Sequence, residues 1–131
     1  MADRFRLLII DDSPVALSFL QAVFKSASYD VDTAPDGEAG FVKAVSGVPD
    51  LIVTDGLMPG IDGFELIRRL KAEPATTDIP VLMLTSGEVG DAEFTSREPQ
   101  PDAMVAKSSS VDPLLAGVKA LLNVKTPRAR G

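Results

Sequence analysis

The feature that most constrains the fold is a set of three short, mainly apolar runs that end at polar residues. The runs cover residues 5–10, 51–54 and 80–84, and none is long enough for an ordinary helix. Continuous apolar runs of this length are typical of strands that are buried on both faces of a parallel sheet. We therefore predict an α/β domain in which helices cover both faces of a parallel sheet.

The segments between these runs carry helix signals. Residues 14–26 follow Ser13 and begin with Pro14, and both residue types are favoured at a helix start. Comparable patterns predict helices that end near residues 47 and 74, a last helix over 111–123, and two more strands at 29–34 and 103–106. Strands and helices thus alternate five times. Residues 88–102 contain Gly90, Pro99 and Pro101 and few apolar residues, and they predict a short helix at most.

The composition excludes several classes of chemistry. The chain has no cysteine and no histidine, which removes disulfide scaffolds, thiolate nucleophiles, Cys/His zinc sites and histidine acid–base catalysis. A metal would need oxygen ligands, which favours Mg²⁺, Mn²⁺ or Ca²⁺. The net charge of −6 disfavours nucleic acid or an anionic membrane as the direct partner. With no signal peptide and no run near about 20 apolar residues, we expect a soluble, cytoplasmic domain.

Charged and hydroxyl side chains follow four of the predicted strands: Asp11, Asp12, Asp55, Thr85 and Lys107. Ligands of an open parallel sheet bind outside the carboxyl ends of the strands, so we expect these side chains to converge on one cleft. Alone, Asp12 could simply favour a helix N-terminus and Asp55 could be a turn residue. Their joint occurrence favours a functional site, whereas Asp62 is expected only to cap a helix.

Crowded carboxylates repel one another unless a cation joins them, and a hard divalent cation suits this role. One carboxylate could then attack phosphorus and form an aspartyl phosphate. Phosphoryl transfer requires mainly positioning and neutralisation of charge. Lys107 and the cation would neutralise the phosphoryl oxygens, and the Thr85 hydroxyl could donate a hydrogen bond to one of them.

The sequence resembles the receiver domain of bacterial two-component response regulators over nearly its whole length. The resemblance rests on four motifs in a specific order: Ile-Ile-Asp-Asp-Ser at 9–13, the run from Asp-Leu-Ile-Val-Thr-Asp to Gly-Phe-Glu at 50–65, Ile-Pro-Val-Leu-Met-Leu-Thr-Ser at 79–86, and Val-Ala-Lys at 105–107. It implies a flavodoxin-like, doubly wound sheet of five parallel strands in the order 2-1-3-4-5. It also implies a single-domain regulator similar to those of chemotaxis.

The resemblance further implies a role for each site residue. Asp55 would be the phospho-acceptor, and Mg²⁺ would be bound directly by Asp12 and Asp55, mostly through water by Asp11, and by the backbone carbonyl of Leu57. Residues Thr85 and Lys107 would sense the phosphoryl group. The donor would be a phosphohistidine on a sensor histidine kinase or a histidine phosphotransfer protein. Such a protein is a signalling phospho-acceptor and not an enzyme, beyond promoting its own phosphorylation and dephosphorylation.

Several positions depart from the family pattern. Met104 stands where receivers commonly have a Tyr or Phe switch residue, and Ser108 replaces the usual proline. Leu57 and Gly87 occupy positions that tune dephosphorylation in the family. Because an apolar Leu57 cannot orient a hydrolytic water, we predict a long-lived phosphoryl group.

Other functions remain open at this stage. A receiver that only binds partners, without phosphorylation, is one alternative; a Mg²⁺-dependent aspartyl-phosphate phosphatase is another. The sequence lacks the acid spacing of the haloacid-dehalogenase type, and it lacks the Gly-, Ser- or Thr-rich loop of an FMN binder. We assign residues 1–124 to the receiver and 125–131 to a basic tail or linker stub, from a stand-alone regulator or a larger protein. The downstream target is unknown, and a homodimer is left open.

Overall fold

The sheet of this protein has the predicted topology. In the computed structural model, which describes residues 4–86, 97–107 and 110–123, all strand pairs are parallel. The strands are β1 (Arg6–Ile10), β2 (Asp30–Ala34), β3 (Leu51–Asp55), β4 (Val81–Thr85) and β5 (Ala103–Ala106). Their spatial order is β2-β1-β3-β4-β5, which confirms the flavodoxin-like arrangement.

Four helices lie within the described part of the chain: α1 (Pro14–Ser26), α2 (Gly37–Gly47), α3 (Gly63–Ala72) and α4 (Val111–Leu122). Three begin at side-chain caps, because Ser13, Asp36 and Asp62 each accept a hydrogen bond from a backbone N–H of the first turn. The predicted helices are thus confirmed within a residue or two of their ends. Of the segment predicted as a short helix at most, residues 97–102 form neither helix nor strand, and the rest lies largely outside the described residues.

Alternation along the strands divides the core between the two faces of the sheet. In β1, Leu7 and Ile9 pack with Phe24 of α1 and Val118 of α4. The intervening Leu8 and Ile10 belong to the other cluster, which is completed from the side of α2 and α3. Both faces are therefore covered, as the apolar runs predict. No described helix combines the length and apolar character that crossing a membrane requires.

The strand order reverses between β1 and β3, which are neighbours in the sheet although β2 separates them in the chain. The helices that follow these two strands pack on opposite faces, so a crevice opens at the carboxyl ends of the two strands. Asp11 follows β1 directly and Asp55 is the last residue of β3. The topology alone therefore brings the two carboxylates to one place.

Candidate functional site

Three acidic side chains meet at this crevice. Asp11, Asp12 and Asp55 each offer a carboxylate oxygen that lies within 4.8 Å of those of the other two. Asp11 is fully buried and Asp55 is 5% exposed, whereas Asp12 faces solvent. The predicted convergence of these side chains is thus present. Carboxylates this close together repel one another when they are ionised.

Lys107 joins the two buried acids. Its Nζ lies 3.0 Å from Asp55 Oδ2 and 3.1 Å from Asp11 Oδ2. The backbone N–H of Lys107 donates to the carbonyl of Thr85 at 2.7 Å, which fixes the residue at the end of β5 beside β4. Thr85 itself is buried at the end of β4, opposite Ala106 in the register of the two strands. Four successive strand ends therefore contribute to one site.

Asp11 keeps one oxygen poorly satisfied. Its Oδ1 accepts a hydrogen bond from the Ser13 N–H at 2.9 Å. Its buried Oδ2 is within ion-pair distance of Lys107, but no described donor is aligned with it as a hydrogen bond. Its described positive contact is the Lys107 ammonium, which it shares with Asp55. A buried carboxylate oxygen that has no aligned donor and only a shared cation is incompletely compensated. This donor set of three carboxylates fits a hard cation such as Mg²⁺.

The pKa values of the acceptor and the lysine reflect this environment. Burial raises the pKa of the Asp55 carboxyl above its ordinary value; the Lys107 ammonium opposes that shift, and the charge of Asp11 adds to it. Burial alone would lower the pKa of Lys107, but the hydrogen bond to Asp55 and attraction to Asp55 and Asp11 outweigh it and the pKa is raised. Lys107 therefore stays charged, and this single ammonium faces three carboxylates. Within the described part of the chain, no second cationic side chain pairs with these acids, so the cluster is short of positive charge there.

The loop from β3 to α3 wraps the acceptor. The backbone N–H of Leu57 donates to Asp55 Oδ1 at 3.3 Å, while the Leu57 side chain is 40% exposed. At the far end of the loop, the Gly63 N–H donates to the Gly56 carbonyl at 3.0 Å. A Cβ at Gly63 would lie 2.7 Å from the Asp55 carbonyl oxygen, so only glycine allows this close approach. The acceptor is thus held from its backbone side by the start of α3.

One contact near the site escaped the sequence analysis. Arg97 Nη1 lies 2.7 Å from Asp62 Oδ2, and its guanidinium stacks 4.4 Å above the ring centre of Phe64. Asp62 caps α3 as predicted, since its Oδ1 accepts from the Glu65 N–H at 2.9 Å, but it also pairs with Arg97. No local pattern indicates a pair separated by so much chain.

Of the positions that depart from the family pattern, Met104 packs, partly buried, against the core. Gly87, Ser108 and the tail 125–131 lie outside the described residues.

Comparison with known proteins agrees with this geometry. The family model of the response regulator receiver domain matches residues 7–119. A gliding motility regulatory protein of Myxococcus xanthus is 47% identical over 85 residues, which are 65% of this chain and 11% of that protein. The DNA-binding dual master transcriptional regulator RpaA of Synechocystis is 41% identical over 118 residues, 89% of this chain and 48% of RpaA. This chain therefore spans less than half of the length of either relative.

A solved structure extends the likeness to three dimensions. Response regulator protein TrrA from Thermotoga maritima, in complex with Mg²⁺-BeF, superposes with a TM-score of 0.80 at 32% identity, covering 90% of this chain and 99% of that one. The span that the family model matches, residues 7–119, includes Asp11 after β1 and Asp55 at the end of β3. This chain belongs to the response regulator receiver domain family, whose members transduce signals in two-component systems.

Proposed function

We propose that this receiver takes a phosphoryl group onto Asp55 in a Mg²⁺-dependent reaction. The donor would be a phosphohistidine on a sensor histidine kinase or a histidine phosphotransfer protein, as the family implies. The chain itself contains no histidine and so cannot be that donor. The observation that carries the proposal is the placement of Asp55, which lies within 4.8 Å of two further carboxylates and 3.0 Å from Lys107. A buried aspartate with a purely structural role would not need two further carboxylates and an ammonium beside it.

Asp11, Asp12 and Asp55 are the residues that would hold Mg²⁺, together with the backbone carbonyl of Leu57. When bound, the ion would supply positive charge for the carboxylates and for the phosphoryl oxygens. The poorly satisfied Oδ2 of Asp11 supports this assignment. So does the bound Mg²⁺-BeF named for TrrA.

The transfer itself would be a single displacement at phosphorus. An ionised oxygen of Asp55 forms the new P–O bond while the P–N bond to the donor imidazole breaks, and the bonding electrons return to that nitrogen. Lys107 opposes the rise that burial causes in the pKa of Asp55 and so favours the ionised form. Its Nζ, 3.0 Å from Asp55 Oδ2, would then neutralise charge on the phosphoryl oxygens. The Thr85 hydroxyl, at the end of the adjacent strand, is assigned a hydrogen bond to one of those oxygens.

For the output, we propose a change in protein–protein contacts instead of catalysis on another molecule. Residues 1–124 would form the receiver, with 125–131 as a basic tail or linker stub. The net charge of −6 argues against direct contact of this domain with nucleic acid or membrane, and we propose that it works in the cytoplasm. The downstream target would be a protein that distinguishes the two states of the site.

Acetyl phosphate provides the test, because it can donate without a partner protein. We expect the intact mass to increase by one phosphoryl group in the presence of Mg²⁺ and to stay unchanged in EDTA. No addition from acetyl phosphate, combined with no binding of beryllofluoride in the presence of Mg²⁺, would contradict the proposal. It would favour a receiver that only binds partners.

Asp12→Asn is expected to weaken Mg²⁺ binding with little effect on the fold. Asp12 is exposed, so loss of its charge disturbs no buried contact. At Mg²⁺ concentrations about 100 times the dissociation constant, binding should stabilise the wild type by about 2.7 kcal/mol. The variant should lose most of this gain, as measured by thermal melts with and without Mg²⁺. The exposed Asp32, which pairs with Lys43 far from the crevice, offers Asp32→Asn as a matched control. An equal Mg²⁺ response in wild type and Asp12→Asn would exclude Asp12 as a ligand.

Leu57→Gln is expected to shorten the life of the phosphorylated state. The Leu57 backbone contacts Asp55 and its side chain is part-exposed, so a polar group here can orient a water toward phosphorus. We expect the wild-type phosphoprotein to persist for minutes or longer and the variant to decay roughly tenfold faster. Mass spectra taken at intervals after removal of acetyl phosphate measure both rates. A wild-type half-life of seconds would refute this account of Leu57.

A further inference from the structure

We propose that Arg97 is a positioning residue for the phospho-acceptor. This inference rests on the proposed function, because it concerns the geometry of Asp55. Among the described ion pairs, Arg97 pairs with Asp62 and not with Asp55, Asp11 or Asp12. It acts through the first turn of α3 on one side and through the chain that leads to β5 on the other.

Arg97 contacts the start of α3. Its Nη1 lies 2.7 Å from Asp62 Oδ2, and its guanidinium lies 4.4 Å above the Phe64 ring. The side chain therefore holds two residues that flank Gly63 by different interactions, an ion pair and a cation–π contact. The side chains of Arg97 and Asp62 are 40% and 23% exposed, so the pair is only partly screened by solvent.

The start of α3 in turn contacts the backbone of the acceptor. Gly63 is the residue between the two that Arg97 holds, and it approaches the backbone of Asp55 so closely that a Cβ would lie 2.7 Å from the Asp55 carbonyl oxygen. Its N–H also donates to the Gly56 carbonyl at 3.0 Å. A shift of the first turn of α3 must therefore move the backbone on which the acceptor carboxylate stands.

Arg97 is also connected through the chain to Lys107. Residues 97–102 lead directly into β5, and their far end is fixed to β4, because Asp102 accepts from the Val81 N–H at 2.8 Å and donates to the Val81 carbonyl at 2.9 Å. Strand β5 then carries Lys107 to Asp55. Arg97 thus ties together the two elements that hold the acceptor, one at its backbone and one at its carboxylate.

An ordinary surface ion pair would contribute little to any property of the protein. A surface ion pair and a positioning residue therefore predict different results for substitutions of Arg97. The test compares Arg97→Gln with Asp62→Asn, which removes the charge but keeps a good helix cap. Arg97→Lys restores the charge, and Arg68→Gln serves as the matched control. Arg68 is 63% exposed on α3 and pairs with Glu65, a first-turn residue other than the two that Arg97 contacts.

We expect Arg97→Gln and Asp62→Asn each to slow phosphoryl addition from acetyl phosphate by about fivefold at saturating Mg²⁺. The double variant should be no slower than Arg97→Gln, because that substitution already removes the ion pair with Asp62 together with the contact to Phe64. Arg97→Lys should recover part of the rate. The melting temperatures of Arg97→Gln and Asp62→Asn should stay near that of Arg68→Gln. The backbone amide resonances of Gly56 and Leu57 should shift in Arg97→Gln but not in Arg68→Gln.

A wild-type rate in Arg97→Gln, with unshifted Gly56 and Leu57 amides, would overturn the inference. A slower rate accompanied by an equal loss in melting temperature, and with additive effects in the double variant, would also overturn it, since that pattern indicates a general structural role. If the wild type accepts no phosphoryl group at all, the proposed function fails. The amide shifts of Gly56 and Leu57 then decide the role of Arg97 on their own.

Discussion

Asp55→Asn is expected to abolish phosphoryl addition and, in the absence of Mg²⁺, to make the fold more stable. The first effect follows because an amide is not a nucleophile toward phosphorus at neutral pH. The second follows from the raised pKa of Asp55, whose largest cause is burial. The ionised carboxylate is disfavoured in the folded state, whereas an Asn carries no charge to desolvate. Its single amide oxygen can replace only one of the two carboxylate oxygens that accept from Lys107 and from the Leu57 N–H.

The sign of the pH dependence follows from the same shift. Because the pKa of Asp55 is higher in the folded state than its ordinary value of 3.8, the folded protein binds more protons in the interval between the two values. The contribution of Asp55 to stability therefore falls as pH rises through that interval and stays low at neutral pH. Asp55→Asn should not show this loss.

Urea unfolding of both proteins in EDTA, from acidic to neutral pH, measures the difference. We expect the variant to gain on the wild type as pH rises above 3.8, and added Mg²⁺ to reverse the order by stabilising the wild type alone. A variant that is less stable than the wild type at neutral pH without Mg²⁺ would mean that Lys107 outweighs burial at this site.

Gly63→Ala should be the most damaging conservative change near the site. Its Cβ would lie 2.7 Å from the Asp55 carbonyl oxygen and 3.1 Å from Gly56 Cα, and backbone atoms cannot move aside as the Met83 side chain could. Alanine normally favours a helix over glycine by up to about 1 kcal/mol. Here we expect a net loss of about 1–3 kcal/mol in the free energy of unfolding, because the overlap forces α3 away from β3.

Phosphoryl addition should slow at least about tenfold in the same variant, because the backbone of the acceptor is displaced. Gly47→Ala is the matched control: it also lies at a helix end, and the nearest atom to its Cβ would be Arg6 Nη2 at 3.8 Å. We expect the control to be neutral or slightly stabilising and to be phosphorylated at the wild-type rate. Denaturant unfolding and the acetyl phosphate reaction provide both readouts. Equal behaviour of the two variants would show that the close approach of Gly63 to Asp55 is unimportant.

The sequence predicts the fold well because its signals are local and strong. The apolar runs before Asp11 and Asp55 define two central strands, and Ser13 with Pro14 defines the start of α1 at the observed residue. The strand ends then determine which side chains meet, since parallel strands all end at one edge of the sheet. That logic is sufficient to bring Lys107 to Asp55 from the other end of the chain.

The parts that the sequence could not predict depend on contacts between distant segments. Nothing in the pair Asp11–Asp12 indicates that the first is fully buried beside Lys107 while the second faces solvent. Burial of this kind is decided by which way each side chain turns at the end of β1. Arg97 is a similar case, because its partners Asp62 and Phe64 lie at the start of α3 and its own segment, residues 97–102, has no regular structure.

The most direct test of the central claim is to locate the phosphoryl group. Borohydride reduces an acyl phosphate of aspartate to homoserine, which peptide mass spectrometry can assign to a single position after the reaction with acetyl phosphate. We predict homoserine at position 55, only in samples that contained Mg²⁺. Homoserine at Asp11 or Asp12 instead, or at several acids without a need for Mg²⁺, would contradict the assignment of Asp55 as the acceptor.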